Sequence, residues 1–126
     1  MSSKTHVLII DNEKALVFLT AANLEAAGYR VTTTPDGYNG VILAGKLHPD
    51  IILLDILMPA INGLQILEKI KADATLRGIP VIMISALHDD ESIRKARELG
   101  AANFLSKPFL IATLIDAIKK ARGARE

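Results

Sequence analysis

Short aliphatic runs alternate with helix-period stretches five times along the chain. The runs are Val7 to Ile10, Arg30 to Thr33, Ile51 to Leu54, Val81 to Ile84 and Asn103 to Leu105. Each has the length and the β-branched or aliphatic content of a strand. Between them lie helical patterns with recognisable ends. The first spans about Glu13 to Ala27 and stops at Gly28, which can take the left-handed conformation that follows a helix. Asp36 is placed to cap the second, Asn62-Gly63 opens the third, and Asp89-Asp90-Glu91 puts acid on the positive end of the fourth. The fifth repeats Ile111, Leu114, Ile115 and Ile118 on one face. Regular β-α alternation with helices of this length predicts an α/β fold, a doubly wound parallel sheet of five strands with five helices.

Composition narrows this picture without changing it. The 126 residues suit one domain, residues 1–126, that buries roughly two thirds of its unfolded surface. Half the residues are hydrophobic but only 4% are aromatic, so Ile, Leu, Val and Ala must fill the core, as they do where parallel strands lie under helices. The formal net charge is +1, and the basic residues Lys119, Lys120, Arg122 and Arg125 gather where they complement the last helix dipole. No direct nucleic-acid surface is expected from them. The absence of cysteine excludes disulfides, thiolate metal sites and cysteine nucleophiles. No apolar run has signal-peptide or membrane-spanning length, so the expected setting is cytoplasmic, with no membrane partner.

Doubly wound sheets bind ligands beyond the carboxyl ends of their strands, where strand order reverses. The residues following the predicted strands are Asp11-Asn12-Glu13, Thr34-Pro35, Asp55, Ser85-Ala86 and Lys107-Pro108. A single Asp closing a core strand is usually just solvated. Here one hydroxyl, one ammonium and several oxygen ligands would meet on the same rim, a set suited to a phosphoryl group and a hard cation.

Four segments carry a resemblance over essentially the whole length. They are Asp11-Asn12-Glu13, Asp55 through Met58-Pro59 to Gly63, Ser85-Ala86, and Lys107-Pro108-Phe109. In this order, each at the end of its strand, they resemble the receiver domain of two-component response regulators, the CheY-like family. The resemblance implies a flavodoxin-like strand order 2-1-3-4-5 and a phosphorylation-dependent signalling switch. It is not an enzyme in the ordinary sense, catalysing only its own phosphoryl transfer and slow autodephosphorylation. Asp55 would accept a phosphoryl group from a sensor histidine kinase or phosphotransfer protein. Mg2+ would be held by Asp55, Asn12, the Leu57 carbonyl and Asp11, the last through water. Lys107 and Ser85 would contact phosphoryl oxygens, and the backbone amides of Leu57 and Ala86 would complete the cradle. Ser85 and Phe104 would carry the switch, and the bond before Pro108 would be cis.

The chain departs from the family pattern in ways that bear on chemistry. Asn12 stands where a second acid is usual, so weaker magnesium binding is expected; a plain helix cap is the other reading of Asn12. Glu13 could swing in as a substitute ligand or simply favour the helix dipole. Ser85 replaces the more frequent Thr but keeps the hydroxyl. Phe104 is an aromatic without a polar group, free to turn inward or to serve as ordinary core. Leu57 and Leu87 would hinder an attacking water and prolong the acyl phosphate, unless they only pack against neighbouring loops.

Partner surfaces follow from the same reading. Leu16-Val17-Phe18-Leu19 cannot all face one core, and Phe18 is the candidate kinase contact. The fourth helix, fifth strand and fifth helix, with Arg94, Lys95, Arg97 and Glu98, would meet an effector protein or output domain, or form a homodimer. Two other functions compete. A pseudo-receiver that binds protein without phosphorylation is favoured only by Asn12. An aspartyl phosphohydrolase of the haloacid dehalogenase type would need an acid where Leu57 stands.

Overall fold

The computed structural model describes residues 4–87 and 89–123; Arg125 lies outside the described residues. Five strands, β1 (His6–Ile10), β2 (Arg30–Thr34), β3 (Ile51–Asp55), β4 (Val81–Ser85) and β5 (Asn103–Ser106), alternate with five helices. The helices are α1 (Lys14–Ala26), α2 (Gly37–Leu47), α3 (Gly63–Ala72), α4 (Asp90–Glu98) and α5 (Ile111–Arg122). All strand pairs are parallel and the order is β2-β1-β3-β4-β5, as the resemblance implied.

The sequences of the strands match their places. The three central strands HVLII, IILLD and VIMIS are buried at every position, because helices cover both faces. The strands RVTTT and NFLS, with fewer large aliphatics, form the partly exposed edges. Alternate side chains supply two cores. Leu8, Ile10, Ile52, Leu54 and Met83 face α2, α3 and α4, while Val7, Ile9, Leu53, Ile82 and Ile84 face α1 and α5. On α5, Leu114 and Ile118 are buried and Ile111 and Ile115 pack at the margin of the same core, as the periodicity predicted.

The helix ends also follow their sequence signals. Asp36 accepts hydrogen bonds from the Tyr38 and Asn39 amides, and Asp89 accepts from the Ser92 amide. Asn62 and Gln65 form a reciprocal capping box at the start of α3. Gly28 follows α1 with φ of +100°. Gly63 has a different reason. A Cβ there would overlap the carbonyl oxygen of Asp55 and lie 2.7 Å from Ile56 Cα, so only glycine lets α3 begin directly behind the tip of β3.

Each strand is extended by a residue relative to the aliphatic run, and the added residues at β3 and β4 are Asp55 and Ser85 themselves. The ladder continues through them, pairing Asp55 with Ile84 and Ser85 with Ser106. The polar residues are therefore fixed by the sheet and not carried on loops.

Candidate functional site

Ile10 pairs with Leu54, so the next residues along these strands, Asp11 and Asp55, emerge side by side. This is the point at which β1 has β2 on one side and β3 on the other, the switch point of the sheet. Both carboxylates are buried. Lys107 comes to them from the end of β5. Its backbone amide donates to the Ser85 carbonyl at 2.9 Å, and the bond to Pro108 is cis as expected. Its ammonium lies 2.9 Å from Asp11 Oδ2 and 3.4 Å from Asp55 Oδ2, with only 8% of the side chain exposed.

Two buried carboxylates sharing one ammonium are electrostatically unbalanced. Burial pushes the Asp55 pKa up and the charge of Asp11 adds to the effect; Lys107 and the Leu57 amide pull back, leaving it at about 6. For Lys107, burial works to lower the pKa. Hydrogen bonds and charge from Asp11, Glu13 and Asp55 outweigh it and raise the pKa above the ordinary lysine value.

Above these groups opens a cleft of about 180 Å³ lined by Asn12, Glu13, Asp55, Leu57, Ala86 and Lys107. Among the described residues, no three His, Cys, Asp or Glu side chains cluster into a ready metal cage. Magnesium does not require one. It uses one or two carboxylates and keeps several waters. Asp11 and Asp55, with the Asn12 amide oxygen and the Leu57 carbonyl as further donors, fit that demand, and a divalent cation would relieve the repulsion between the two acids.

The remaining predicted residues are placed as follows. Ser85 is fully buried at the tip of β4, and its Oγ accepts a hydrogen bond from the Leu87 amide at 3.0 Å; Ser85 does not line the cleft, whereas Ala86 does. The Leu57 amide points back to Asp55 Oδ1 at 3.4 Å. Phe104 packs partly against the core under α4 and lines a groove of about 370 Å³ with Ile93, Ala96 and Arg97. Leu57 and Leu87 are 51% and 40% exposed. Phe18 is 78% exposed and Leu19 is also exposed, as the apolar run required.

Two readings are corrected. Asn12 does not cap α1: Glu13 occupies the cap position, without a side-chain cap, and Asp11 Oδ1 accepts from the Glu13 amide at 2.9 Å. Nor is Glu13 merely a first-turn acid favouring the dipole. Its Oε1 lies 3.1 Å from the Lys107 ammonium, a contact across 94 positions of sequence.

Sequence reasoning also missed a second polar cluster, at the opposite rim. The His6 amide donates to Asp50 Oδ2 at 2.7 Å, the His6 ring stands between Thr32 Oγ1 at 2.7 Å and Arg30 at 3.1 Å, and Arg122 pairs with Asp50 Oδ1 at 3.1 Å. Its only sequence signal is a polar residue at or just before the start of each of the first three strands.

Residues 7–119 match the family described as response regulator receiver domain. The polar-differentiation response regulator DivK of Brucella ovis is 33% identical over 117 residues, covering 93% of this chain and 95% of the relative. The DNA-binding dual master transcriptional regulator RpaA of Synechocystis is 34% identical over 90% of this chain, which spans only 47% of that regulator's length. Among solved structures, the chemotaxis protein CheY4 of Vibrio cholerae superposes with a TM-score of 0.89 at 25% identity, covering 94% of this chain and 99% of that one.

Proposed function

Because the chain belongs to the response regulator receiver family, signalling modules whose general function is a phosphorylation-based switch, we propose that Asp55 is its phosphoacceptor. The observation that carries this reading is the pairing of buried Asp55 with buried Asp11 beneath an open cleft, the two held by one ammonium. Asp55 attacks the phosphorus of a phosphohistidine; a P–O bond forms as the P–N bond breaks, and the imidazole leaves with the electron pair. Lys107 follows the transferred group and neutralises an equatorial oxygen, while the Ala86 amide and the Ser85 hydroxyl meet the others. Asp55, Asn12 and the Leu57 carbonyl, with Asp11 through water, would hold Mg2+, which would supply charge neutralisation between the carboxylate and the incoming phosphoryl oxygens.

The sensor kinase or phosphotransfer protein docks over exposed Phe18. An effector, an output domain or a second copy meets α4, β5 and α5. On this reading Ser85 and Phe104 couple the two surfaces: the groove beside Phe104 gives the ring a place to turn inward. Leu57, exposed in the cleft lining, and Leu87, exposed two residues beyond Ser85, crowd the approach of water and prolong the acyl phosphate.

Intact-mass spectrometry after treatment with acetyl phosphate tests the assignment. The chain should gain one phosphoryl mass with magnesium and little without it, and Asp55→Asn should gain none. A chain that never gains the mass under these conditions is the protein-binding pseudo-receiver instead.

A further inference from the structure

The Lys107 ammonium has three protons to donate and faces three carboxylates, Asp11 at 2.9 Å, Glu13 at 3.1 Å and Asp55 at 3.4 Å. Asp55 ends β3, and Asp11 directly follows β1 with its amide bonded to the Thr34 carbonyl at 3.0 Å. The third belongs to Glu13, whose side chain is 62% exposed. Its backbone is tied to the same place, because its amide donates to Asp11 Oδ1. Asp11 is thus engaged through both oxygens, by the Glu13 amide and by Lys107, and the Glu13 carboxylate also contacts the ammonium. The longest of the three contacts is the one to Asp55, the group that must stay free to react.

The neighbour of Glu13 sharpens the point. Asn12 is exposed and lines the cleft but brings no charge. Without Glu13, two carboxylates and one ammonium would leave a formal charge of −1; with it, the three carboxylates and one ammonium give −2. We propose that Glu13 is a positioning residue that supplies the charge Asn12 lacks and draws Lys107 toward itself and off Asp55, so that the cleft binds magnesium more tightly. This rests on the reading of the cleft as a magnesium and phosphoryl site. Both effects have the same sign. Removing the Glu13 charge lowers the attraction for a divalent cation directly, and a released Lys107 settles against Asp11 and Asp55, where it competes with the ion.

A magnesium titration of the full chain, followed by the backbone amide NMR shifts of the Asp11 to Glu13 and Asp55 to Leu57 segments, tests this. Glu13→Gln should weaken magnesium binding about three- to tenfold, the scale for a partly exposed charge near a cation. Glu25→Gln, which removes an exposed acid elsewhere on α1, should leave the affinity unchanged. The double variant Asn12→Asp with Glu13→Gln should return to within about twofold of the unmodified chain, since it moves the charge by one residue and keeps its number. An unchanged affinity in Glu13→Gln, or a loss that Asn12→Asp does not repair, overturns the role of Glu13. If the unmodified chain shows no magnesium-dependent shift at all, the magnesium site itself falls, and this inference with it.

Discussion

Asp50 precedes and Asp55 ends the same strand, Ile51–Asp55, yet their surroundings push them in opposite directions. At Asp50, burial tends to raise the pKa, but the His6 amide and Arg122 outweigh it and hold the carboxylate below its ordinary range. At Asp55, burial and the neighbouring Asp11 prevail over Lys107 and the pKa rises to about 6. One rim of the sheet satisfies its charge; the other leaves it in deficit of cations. The first contributes to the fold. The second is held in an unfavourable state that an added cation would relieve, which is what a reactive site needs.

The same substitution made at both ends should therefore have opposite consequences. Asp55→Asn should raise stability by about 1–2 kcal/mol at neutral pH, because a poorly solvated charge disappears. Asp50→Asn should lower it by about 1 kcal/mol, because the Arg122 pair and a charge-assisted bond to the His6 amide are weakened. Paired urea unfolding curves measure both, and two shifts of the same sign would erase the contrast between the rims.

Proton linkage gives a finer test. The folded chain holds the Asp55 proton up to about pH 6, whereas an unfolded Asp releases it near pH 4. The native state thus binds more protons in this window, and the stability contributed by Asp55 declines as pH rises through it. The advantage of Asp55→Asn should accordingly be full at pH 7 and shrink toward zero by about pH 4. His6 on the other rim works in the contrary sense. Burial and then Arg30 lower its pKa, so its contribution is lost as pH falls below the ordinary histidine value. A constant difference between Asp55→Asn and the unmodified chain over that range would mean that Asp55 titrates as an exposed acid.

The smallest effect concerns the backbone beside the Asp55 rim. Ala60, in the loop after β3, has φ of +72°, a conformation that costs a residue bearing a Cβ. Ala60→Gly should gain about 0.5–1 kcal/mol, the left-handed penalty less the extra entropy of glycine. Thermal unfolding measures it, and a loss of stability would mean that the methyl group is doing more than enduring its conformation.

The fold was legible because its signals are local. Periodicity located all five strands and helices, and Asp36, Asn62 and Asp89 cap the helices they were expected to cap. Strand ends were short by a residue because Asp55 and Ser85 are polar, and hydropathy cannot reveal that a parallel ladder continues through a carboxylate or a hydroxyl. Residues that would converge on the cleft could be named from their positions after the strands, but their contacts could not. The tie between Glu13 and Lys107 spans the whole fold, and the cap position of α1 falls to Glu13, whose amide Asp11 meets. The His6, Arg30, Thr32, Asp50 and Arg122 cluster draws on four separate stretches, brought together by strand register, His6 opposite Arg30, and by the end of α5.

The missing side chain at position 63 has a mechanical meaning. With Gly63 pressed against the carbonyl of Asp55 and its amide bonded to the Ile56 carbonyl at 2.8 Å, the base of the third helix and the tip of the third strand touch without any compressible padding between them. A strand tip so buttressed has no slack in which to recoil. On the proposed reading, any force that phosphorylation applies to that carboxylate is taken up by the loops at its sides.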